Sequence, residues 1–374
     1  MRITRIEPIV LFQERTQAAD SSHDAFVVRV HTDAGIVGIG EALSSPAIMK
    51  AIVEAPTSHY LARGFAELLI GEDPLQVERL WEKLYRGGLF YGRRGAAIHA
   101  LSAIDIALWD IRGKALGLPI SALLGGAVRP RVRPYASHVL PDTPREAAAL
   151  AERSVRQGFS AVKMGWGPFC QPGQTAAMDE EFVRALRDAV GPDVDLLIDI
   201  GLVWDATTAI QRARRLERYG LYWIEEPLPP DDLEGYARLA DAVDTRIATG
   251  EELTTRWEFR DLLERGRVDV IQPDIARAGG VTEARRIVDQ AELRHTEWAP
   301  HVYGTGILQA VAAHMVAASP SGKLLEFCMS DSPLARELVT PPPVIGPDGL
   351  FEVPTGPGLG VELDESVVRR FQVG

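Results

Sequence analysis

The sequence contains few cysteines and no long apolar run. Its 374 residues include only two cysteines, Cys170 and Cys328, so no disulfide framework is indicated and a reducing, cytoplasmic setting is expected. The first residues alternate like a strand and lack the continuous apolar segment of a signal peptide. No apolar run approaches the length of a membrane-spanning helix, so we expect no membrane partner.

Positive charge is also scarce. The sequence has 40 Lys and Arg against 52 Asp and Glu, which gives a net charge of −12. Proteins that bind nucleic acids do so through clustered Lys and Arg that replace the counterions of the phosphates. This composition argues against a nucleic-acid partner. A small anionic substrate would have to be held locally, by a metal ion and a few cationic side chains.

The order of the predicted elements divides the chain into three parts. Strand patterns followed by helical patterns predict an α+β domain over residues 1–128. Strands and helices then alternate over residues 129–327, which predicts an α/β fold in the form of a (β/α)7β TIM-like barrel. The Pro- and Gly-rich remainder, 328–374, is expected to return to the first part, so that both together form a capping domain.

Eight strand patterns define the predicted barrel. They lie at 132–137, 161–164, 195–198, 222–225, 247–249, 268–272, 296–299 and 324–326. Repeated strand–helix units of this length are also typical of an open, doubly wound sheet, which is the alternative. An open sheet concentrates its site at one switch point, whereas this sequence has polar residues at many strand ends, and this favours a barrel.

Polar residues recur where six of these strands end. The intervals between them are 23 to 27 residues, the length of one strand–helix unit, and the residues are Asp199, Glu225, Glu251, Asp274, His301 and Glu326. In a parallel barrel such residues meet at the C-terminal face, where active sites lie. Three carboxylates have the spacing of metal ligands, and the histidine is suited to move a proton. The pattern therefore predicts metal-assisted proton transfer.

Two segments carry a family resemblance. The stretch Ala100–Gly125 resembles the N-terminal signature of mandelate racemase and muconate lactonizing enzymes. The series Asp199, Trp223-Ile-Glu-Glu-Pro227 and Ala248-Thr-Gly-Glu251 resembles the metal-ligand series of the enolase superfamily. The resemblance covers essentially the whole chain. It implies a capped barrel, a homo-oligomer and a small carboxylate substrate, with a Lys or His base beside Mg²⁺ as the precedent of this superfamily.

The resemblance identifies Asp199, Glu225 and Glu251 as the metal ligands. At both Glu-Glu pairs it selects the first residue, and alternation along a strand gives a physical reason, because neighbouring side chains point to opposite sides. Three hard oxygen donors without cysteine or paired histidine favour Mg²⁺ over Zn²⁺.

The acid–base residues are expected to be His301 and Asp274. A carboxylate partner would fix the tautomer of the imidazole and raise its pKa. Lys163 ends the second barrel strand. The resemblance implies a Lys-x-Lys motif at this place in the racemases, which use the second lysine as an opposing base. This chain has Gly165 at that second position, and Gly201 stands where many relatives have a polar residue after the metal-binding aspartate.

These departures favour a dehydratase over a racemase, since only one base is evident. His301 would remove the proton α to a carboxylate, Mg²⁺ would hold the enediolate, and protonated His301 would release the β-hydroxyl as water. Lys163 would neutralise substrate charge. The predicted activity is therefore an acid-sugar dehydratase that acts on an aldonate or aldarate and gives a 2-keto-3-deoxy acid.

Four further residues are candidates for substrate binding. Glu326 resembles a family residue that hydrogen-bonds the substrate, and Trp166 follows the second strand and is expected to line the pocket. The capping domain would bind the distal part of the substrate through His23 and Arg93. Two other functions stay open: a racemase, epimerase or cycloisomerase in which Lys163 is the second base, and a barrel that binds a ligand without catalysis.

Overall fold

The N-terminal part of the chain is an antiparallel sheet with helices packed on it, in a computed structural model that describes residues 1–14 and 20–373. The sheet contains β1 (Ile3–Phe12), β2 (Asp24–Thr32) and β3 (Val37–Ala42), which pair in sequence order. The helices are α1 (Pro46–Glu54), α2 (Phe65–Leu69), α3 (Val77–Gly87), α4 (Leu89–Gly92), α5 (Ala96–Leu116) and α6 (Ile120–Leu123). We call this part the cap.

Eight parallel strands form the second part. They are β4 (Arg131–Val139), β5 (Ala161–Gly165), β6 (Asp195–Asp199), β7 (Leu221–Glu225), β8 (Arg246–Thr249), β9 (Val270–Ile271), β10 (Glu297–Trp298) and β11 (Leu324–Cys328). Strands β4 to β10 pair consecutively, and β11 pairs with β4, so the last strand lies beside the first. A doubly wound sheet would reverse its strand order at a switch point, whereas the described strands of this sheet follow one another without a reversal.

Buried side chains from all eight strand segments pack together inside the curled sheet. They are Tyr135, Ala161, Leu197, Trp223, Ala248, Val270, Ala299 and Leu324. Seven of these residues lie in the strands and Ala299 directly follows β10; such an interior layer is the packed core of a TIM-like barrel. The predicted (β/α)7β barrel with a cap is therefore confirmed.

Seven helices connect these strands. They are α7 (Pro144–Arg156), α8 (Ala176–Val190), α9 (Ala206–Leu216), α10 (Leu233–Ala240), α11 (Thr255–Asp261), α12 (Gly280–Leu293) and α13 (Gly306–Ala318). Five begin after a side chain that accepts a hydrogen bond from a backbone N–H group of the first turn; these N-caps are Thr143, Thr175, Asp205, Asp232 and Thr305. Local sequence therefore fixes where most of these helices start.

Strands β9 and β10 are shorter than the predicted 268–272 and 296–299. Backbone hydrogen bonds still extend beyond them, from Gln272 N to Thr249 O at 2.9 Å and from Ala299 N to Ile271 O at 3.1 Å. The difference is therefore one of strand boundaries, which hydropathy fixes poorly, while the strands themselves and their order match the prediction.

Helix α5 joins the cap to the barrel and is buried along most of its length. Its Asp105 accepts hydrogen bonds from the backbone N–H of Thr282 at 2.9 Å and from the Thr282 hydroxyl at 2.6 Å. Trp109 donates to the same hydroxyl at 2.8 Å. Thr282 lies in the first turn of α12, where backbone N–H groups have no acceptor within the helix. Asp105 of the cap therefore supplies a hydrogen-bond acceptor to the N-terminus of a barrel helix.

The C-terminal tail contacts both parts. Its elements are α14 (Pro333–Arg336), β12 (Val339–Thr340), β13 (Phe351–Glu352), β14 (Glu362–Leu363), α15 (Glu365–Phe371) and β15 (Gln372–Val373). Strand β15 pairs with β1 and extends the sheet of the cap, as the return of the tail requires. Strand β13 pairs antiparallel with β4, so the tail also contacts the barrel. Among the described helices, none is long and apolar enough to span a bilayer.

Candidate active site

Three carboxylates converge at the C-terminal ends of neighbouring strands. Asp199 ends β6, Glu225 ends β7, and Glu251 lies two residues after β8. One oxygen of each lies within 4.8 Å of the others, and all three residues are buried. The structure therefore brings the three predicted metal ligands together.

The contacts of these carboxylates fit a bound cation. Glu251 Oε2 is buried and makes no hydrogen bond to any described residue, although it lies 3.4 Å from Nε2 of His301. Burial, followed by the neighbouring Glu225 carboxylate, raises the pKa of Asp199 well above its usual value. Burial also raises the pKa of Glu251. A cluster of buried acids that repel one another is stabilised by a divalent ion, and oxygen donors alone suit a hard ion such as Mg²⁺.

Lys163 stands between the acidic cluster and the last strand. Its Nζ pairs with Glu225, lies 2.8 Å from Glu326 and lies 3.7 Å from Asp199. Burial opposes the charge of Lys163, but Glu225 and Glu326 outweigh it and raise the lysine pKa well above its usual value. Burial likewise opposes ionisation of Glu326, but Lys163 and then His301 lower its pKa to about 2. In this arrangement Lys163 is a fixed positive charge.

His301 and Asp274 form a hydrogen-bonded pair. The imidazole Nδ1 lies 2.7 Å from Asp274 Oδ2, and Asp274 Oδ1 accepts the backbone N–H of Ala276 at 2.7 Å. Burial lowers the pKa of His301, but attraction by Glu251, Glu326 and Asp274 raises it to about 9. A cation bound by Glu251 would weaken the first of these attractions and lower that pKa, which would favour the neutral imidazole that a base requires.

Two glycines make room for the segment after β5. A Cβ at Gly165 would lie 2.3 Å from Asp199 Cβ, and a Cβ at Gly201 would lie 2.5 Å from Cys170 Sγ and 3.3 Å from the Trp166 ring. The Trp166 indole also donates to Asp199 Oδ2 at 3.1 Å. A side chain at Gly165, the position of the opposing base, would therefore collide with Asp199, and a side chain at Gly201 would collide with Cys170. No second lysine would fit at Gly165 without displacing Asp199.

A cavity of about 140 Å³ lies over these groups. It is lined by Ser137, His138, Val139, Lys163, Gly165, Trp166, Asp199, Glu251, Glu252, Arg277, His301, Tyr303 and Glu326. Trp166 and Glu326, two of the predicted substrate-binding residues, thus share one cavity with Lys163 and His301. Glu326 also accepts the backbone N–H of Val302 at 2.6 Å, so it supports the loop that carries His301.

A second cavity of about 360 Å³ adjoins the first at His138, Val139 and Tyr303. His23 lines it and is buried. The Gln13 side-chain amide donates to His23 Nδ1 at 2.8 Å and to the Ser332 hydroxyl at 2.8 Å. Because Nδ1 accepts, the proton of the neutral ring is assigned to Nε2, which has no hydrogen-bond partner among the described residues. Asp20 Oδ2 lies 3.5 Å from Nε2.

Arg93 is not brought to either cavity. Its side chain is exposed, and it lines neither the first nor the second cavity. The neighbouring Arg94 also turns away, because its guanidinium lies over the ring of Trp257 and 3.5 Å from Glu258. Arg93 lies away from the cavities because it directly follows helix α4, whose exposed side chains lie on the outer surface of the cap.

Sequence reasoning missed Arg277 and Tyr303. Arg277 lines the first cavity, donates through Nε to the Leu43 carbonyl of the cap at 3.0 Å, and lies 3.4 Å from Glu251. It follows Asp274 by three residues in a loop at the C-terminal face, and that position was a usable signal. Tyr303 follows His301 by two residues and lines both cavities.

Two family models match the chain. Residues 5–125 match the mandelate racemase/muconate lactonizing enzyme N-terminal domain, and residues 146–367 match the enolase C-terminal domain-like family.

Relatives that match essentially the whole chain include proteins named as cycloisomerases and as dehydratases. The chain is 34% identical to a D-galactarolactone cycloisomerase of Agrobacterium fabrum, covering 100% of this chain and 99% of that protein. It is 36% identical to a D-gluconate dehydratase of Thermoproteus tenax, over 99% of this chain and 74% of that protein. The crystal structure of a 3,6-anhydro-D-galactonate cycloisomerase from Zobellia galactanivorans superimposes with a TM-score of 0.90 at 32% identity, and each chain is covered completely.

Proposed function

The chain belongs to the enolase superfamily, with mandelate racemase/muconate lactonizing enzyme domains, and we propose that it is a Mg²⁺-dependent acid-sugar dehydratase, a hydro-lyase. The substrate is an aldonate or aldarate, and the product is a 2-keto-3-deoxy acid. One observation carries the choice of dehydration: His301, paired with Asp274, lines the cavity, while Gly165 occupies the place of a second base and leaves no room for a side chain beside Asp199.

His301 is the proposed base and then the proposed acid. Its Nε2 takes the proton α to the substrate carboxylate, and the electron pair of that C–H bond becomes part of an enediolate. As the enediolate collapses, its electrons form the C–C double bond and the β-hydroxyl departs with the proton from Nε2 as water. The enol that remains takes a proton from solvent at the β-carbon and becomes the 2-keto acid. One residue serves both steps, so proton and hydroxide leave from the same face.

The charged neighbours prepare the site for that carbanion. A divalent ion held by Asp199, Glu225 and Glu251 would act as a Lewis acid that stabilises developing negative charge on the substrate carboxylate. Lys163, kept positive by Glu225 and Glu326, adds a second fixed charge. Asp274 holds the His301 tautomer with its proton on Nδ1, and the Trp166 indole holds Asp199 by a hydrogen bond to Oδ2.

The second cavity supports a polyhydroxylated substrate. It is lined by hydroxyl, amide and carboxylate groups, including Ser330, Ser332, Gln13 and Asp20. The Nε2 proton of His23 has no partner among the described residues and would donate to a substrate hydroxyl. Hydrogen-bonding groups in this number suit the distal hydroxyls of a sugar acid better than an apolar substituent.

A cycloisomerase is the second candidate. It is favoured by the full-length similarity to two proteins named as cycloisomerases, one in sequence and one in structure. Such a reaction needs the same metal site and the same α-proton transfer, so the residues above do not separate the two. The products do: a dehydratase loses water, whereas a cycloisomerase converts its substrate to an isomer of equal mass.

Product analysis therefore tests the proposal. Purified protein with Mg²⁺ would be incubated with a panel of aldonates, aldarates and their lactones, and the products measured by semicarbazide absorbance and mass spectrometry. Loss of one water from a substrate, abolished by EDTA and by His301→Asn, supports dehydration. A product of unchanged mass that depends on the same residues would contradict the dehydratase proposal and support a cycloisomerase instead.

The proposal also includes the domain organisation, the assembly and the cellular compartment. We propose a capping domain formed by residues 1–128 and 328–374 around a barrel of 129–327, and a symmetric homo-oligomer as the assembly. Cys170 and Cys328 are both free thiols, which supports a reducing, cytoplasmic setting.

A further inference from the structure

Glu41 is a buried carboxylate of the cap that bonds to a catalytic loop of the barrel. It lies at the end of β3 and is 1% exposed. Its Oε1 accepts the backbone N–H of Thr305 at 3.0 Å, and its Oε2 accepts the Thr305 hydroxyl at 2.6 Å and the Leu308 N–H at 3.1 Å. These groups belong to the N-cap and first turn of α13, where an anion is favoured by the unpaired N–H groups and the helix dipole.

The loop that Glu41 holds is the one that carries His301. Only three residues separate His301 from Thr305, and the first of them, Val302, donates its N–H to Glu326 at 2.6 Å. The second, Tyr303, lines both cavities. The loop is therefore fixed at its start by Glu326 of the barrel and at its end by Glu41 of the cap.

The same end of β3 also touches the loop of Asp274. Two residues after Glu41, the carbonyl of Leu43 accepts Nε of Arg277 at 3.0 Å. Arg277 lies in the loop that follows Asp274, whose carbonyl accepts the N–H of Arg277 at 3.0 Å. The cap thus contacts the segments that present both members of the His–Asp pair.

We propose that Glu41 is a positioning residue for His301. By fixing Thr305 and the first turn of α13 against the cap, it holds the imidazole in place beside Asp274 and the three carboxylates. This role rests on the proposed function of His301 as the base. Glu41 does not line the catalytic cavity, so it acts through the loop and not on the substrate.

The test compares Glu41→Gln with Asp110→Asn. Glutamine keeps the size of the side chain but places an amide group against backbone donors. Asp110 is the matched control, since it is also a buried carboxylate of the cap; it accepts backbone N–H groups of Ile39 at 3.0 Å and Leu359 at 2.9 Å, away from the catalytic loops.

Two readouts are used, and the first needs no substrate. Hydrogen–deuterium exchange of the peptide covering 302–308 is expected to rise about tenfold or more in Glu41→Gln and to stay unchanged in Asp110→Asn. In the second, kcat of Glu41→Gln falls about 10- to 100-fold while KM and Mg²⁺ affinity stay within about twofold, because a misplaced base slows chemistry and not binding.

Unchanged exchange over 302–308 in Glu41→Gln, or an equal loss of kcat in both variants, would overturn the proposal. Should Glu41→Gln fail to fold, Thr305→Ser and Thr305→Val replace it. Thr305→Ser keeps the hydroxyl that bonds to Glu41 and should retain kcat, whereas Thr305→Val lacks this hydroxyl and its kcat should fall. Equal behaviour of these two variants would also overturn it. If the wild-type protein dehydrates no acid sugar, the proposed function fails, but the exchange comparison still tests the loop contact.

Discussion

His301 Nδ1 lies 2.7 Å from Asp274 Oδ2, and this contact leaves Nε2 as the ring atom that faces Glu251 and the cavity. A histidine whose Nδ1 donates to a carboxylate presents an unprotonated Nε2 when neutral, which is the form a base requires. The residues come from two consecutive strand ends, so the barrel itself sets their geometry.

Replacing Asp274 by asparagine tests this relationship. The amide can hold the ring in the other tautomer, with the proton on Nε2, so kcat is expected to fall about 10²- to 10⁴-fold. Asp269→Asn is the matched control, because Asp269 precedes the same strand at its opposite end and accepts the N–H of Ile247 at 2.9 Å. Steady-state kinetics of both variants give the answer. Equal kcat values in Asp274→Asn and wild type would contradict the assigned role.

Replacing Glu251 by glutamine tests the metal site. Its Oε2 makes no hydrogen bond within the described part of the chain, so the change removes a charged ligand; it also weakens the ion pair between Oε1 and Arg277, which are 3.4 Å apart. Mutation of residues that only support ligands weakens metal binding 10- to 100-fold, so loss of a ligand itself should weaken Mg²⁺ binding at least about tenfold. Calorimetric titration measures it, with the exposed Glu234→Gln as control. Equal Mg²⁺ affinities of Glu251→Gln and wild type would remove Glu251 from the proposed ligand set.

Replacing His23 by phenylalanine tests the second cavity. Loss of one hydrogen bond to the substrate, about 1 to 1.5 kcal/mol, should lower kcat/KM about tenfold for an acid sugar with its full chain. A shorter acid without the distal hydroxyls should be affected less than about twofold. The exposed His59→Phe serves as control. An equal loss for long and short substrates would show that His23 acts on the fold and not on the distal hydroxyls.

The pH dependence of stability should report Asp105. Burial raises the pKa of this carboxyl to about 7, although its bonds to Thr282 oppose the rise. The folded protein therefore keeps a proton that the unfolded chain releases near pH 3.8, so the contribution of Asp105 is most favourable below that pH. This stabilising contribution of Asp105 decreases as the pH rises to about 7, and it does not change further above that pH.

Denaturant unfolding of wild type and Asp105→Asn across this range measures the effect. The free energy of unfolding of wild type, minus that of Asp105→Asn, should decrease with rising pH by at most about 1.4 kcal/mol per unit, the value for one proton. Other titrating groups, including Glu41 with its pKa of about 7, cancel in the difference. A difference that does not change with pH would show that Asp105 ionises normally in the folded protein.

The sequence predicted the barrel and the acidic cluster because both depend on local periodicity. Strand patterns at regular intervals determine which residues end a strand, and the barrel then brings Asp199, Glu225 and Glu251 together. Contacts between the cap and the barrel carry no such periodicity. Glu41 and Thr305 are 264 residues apart, and nothing in the pattern around either residue points to the other.

The substrate-binding residues were predicted less completely for the same reason. Trp166 follows a strand directly and lies at the cavity, whereas Arg93 was selected from a cap segment whose orientation the sequence does not define, and it lies on the outer surface. The second cavity arises where His23 of the cap meets Ser332 of the tail through Gln13. Contact between the cap and a tail residue 319 positions from Gln13 is set by tertiary packing alone.

Incubation of the wild-type protein with Mg²⁺ and a stereochemically complete panel of acid sugars in D₂O is the most direct test of the central claim. The account predicts that at least one aldonate or aldarate loses water, gives a 2-keto-3-deoxy acid with deuterium at the β-carbon, and is untouched by His301→Asn protein. Exchange of the α-proton for deuterium with no loss of water from any member of the panel would contradict it and favour isomerisation.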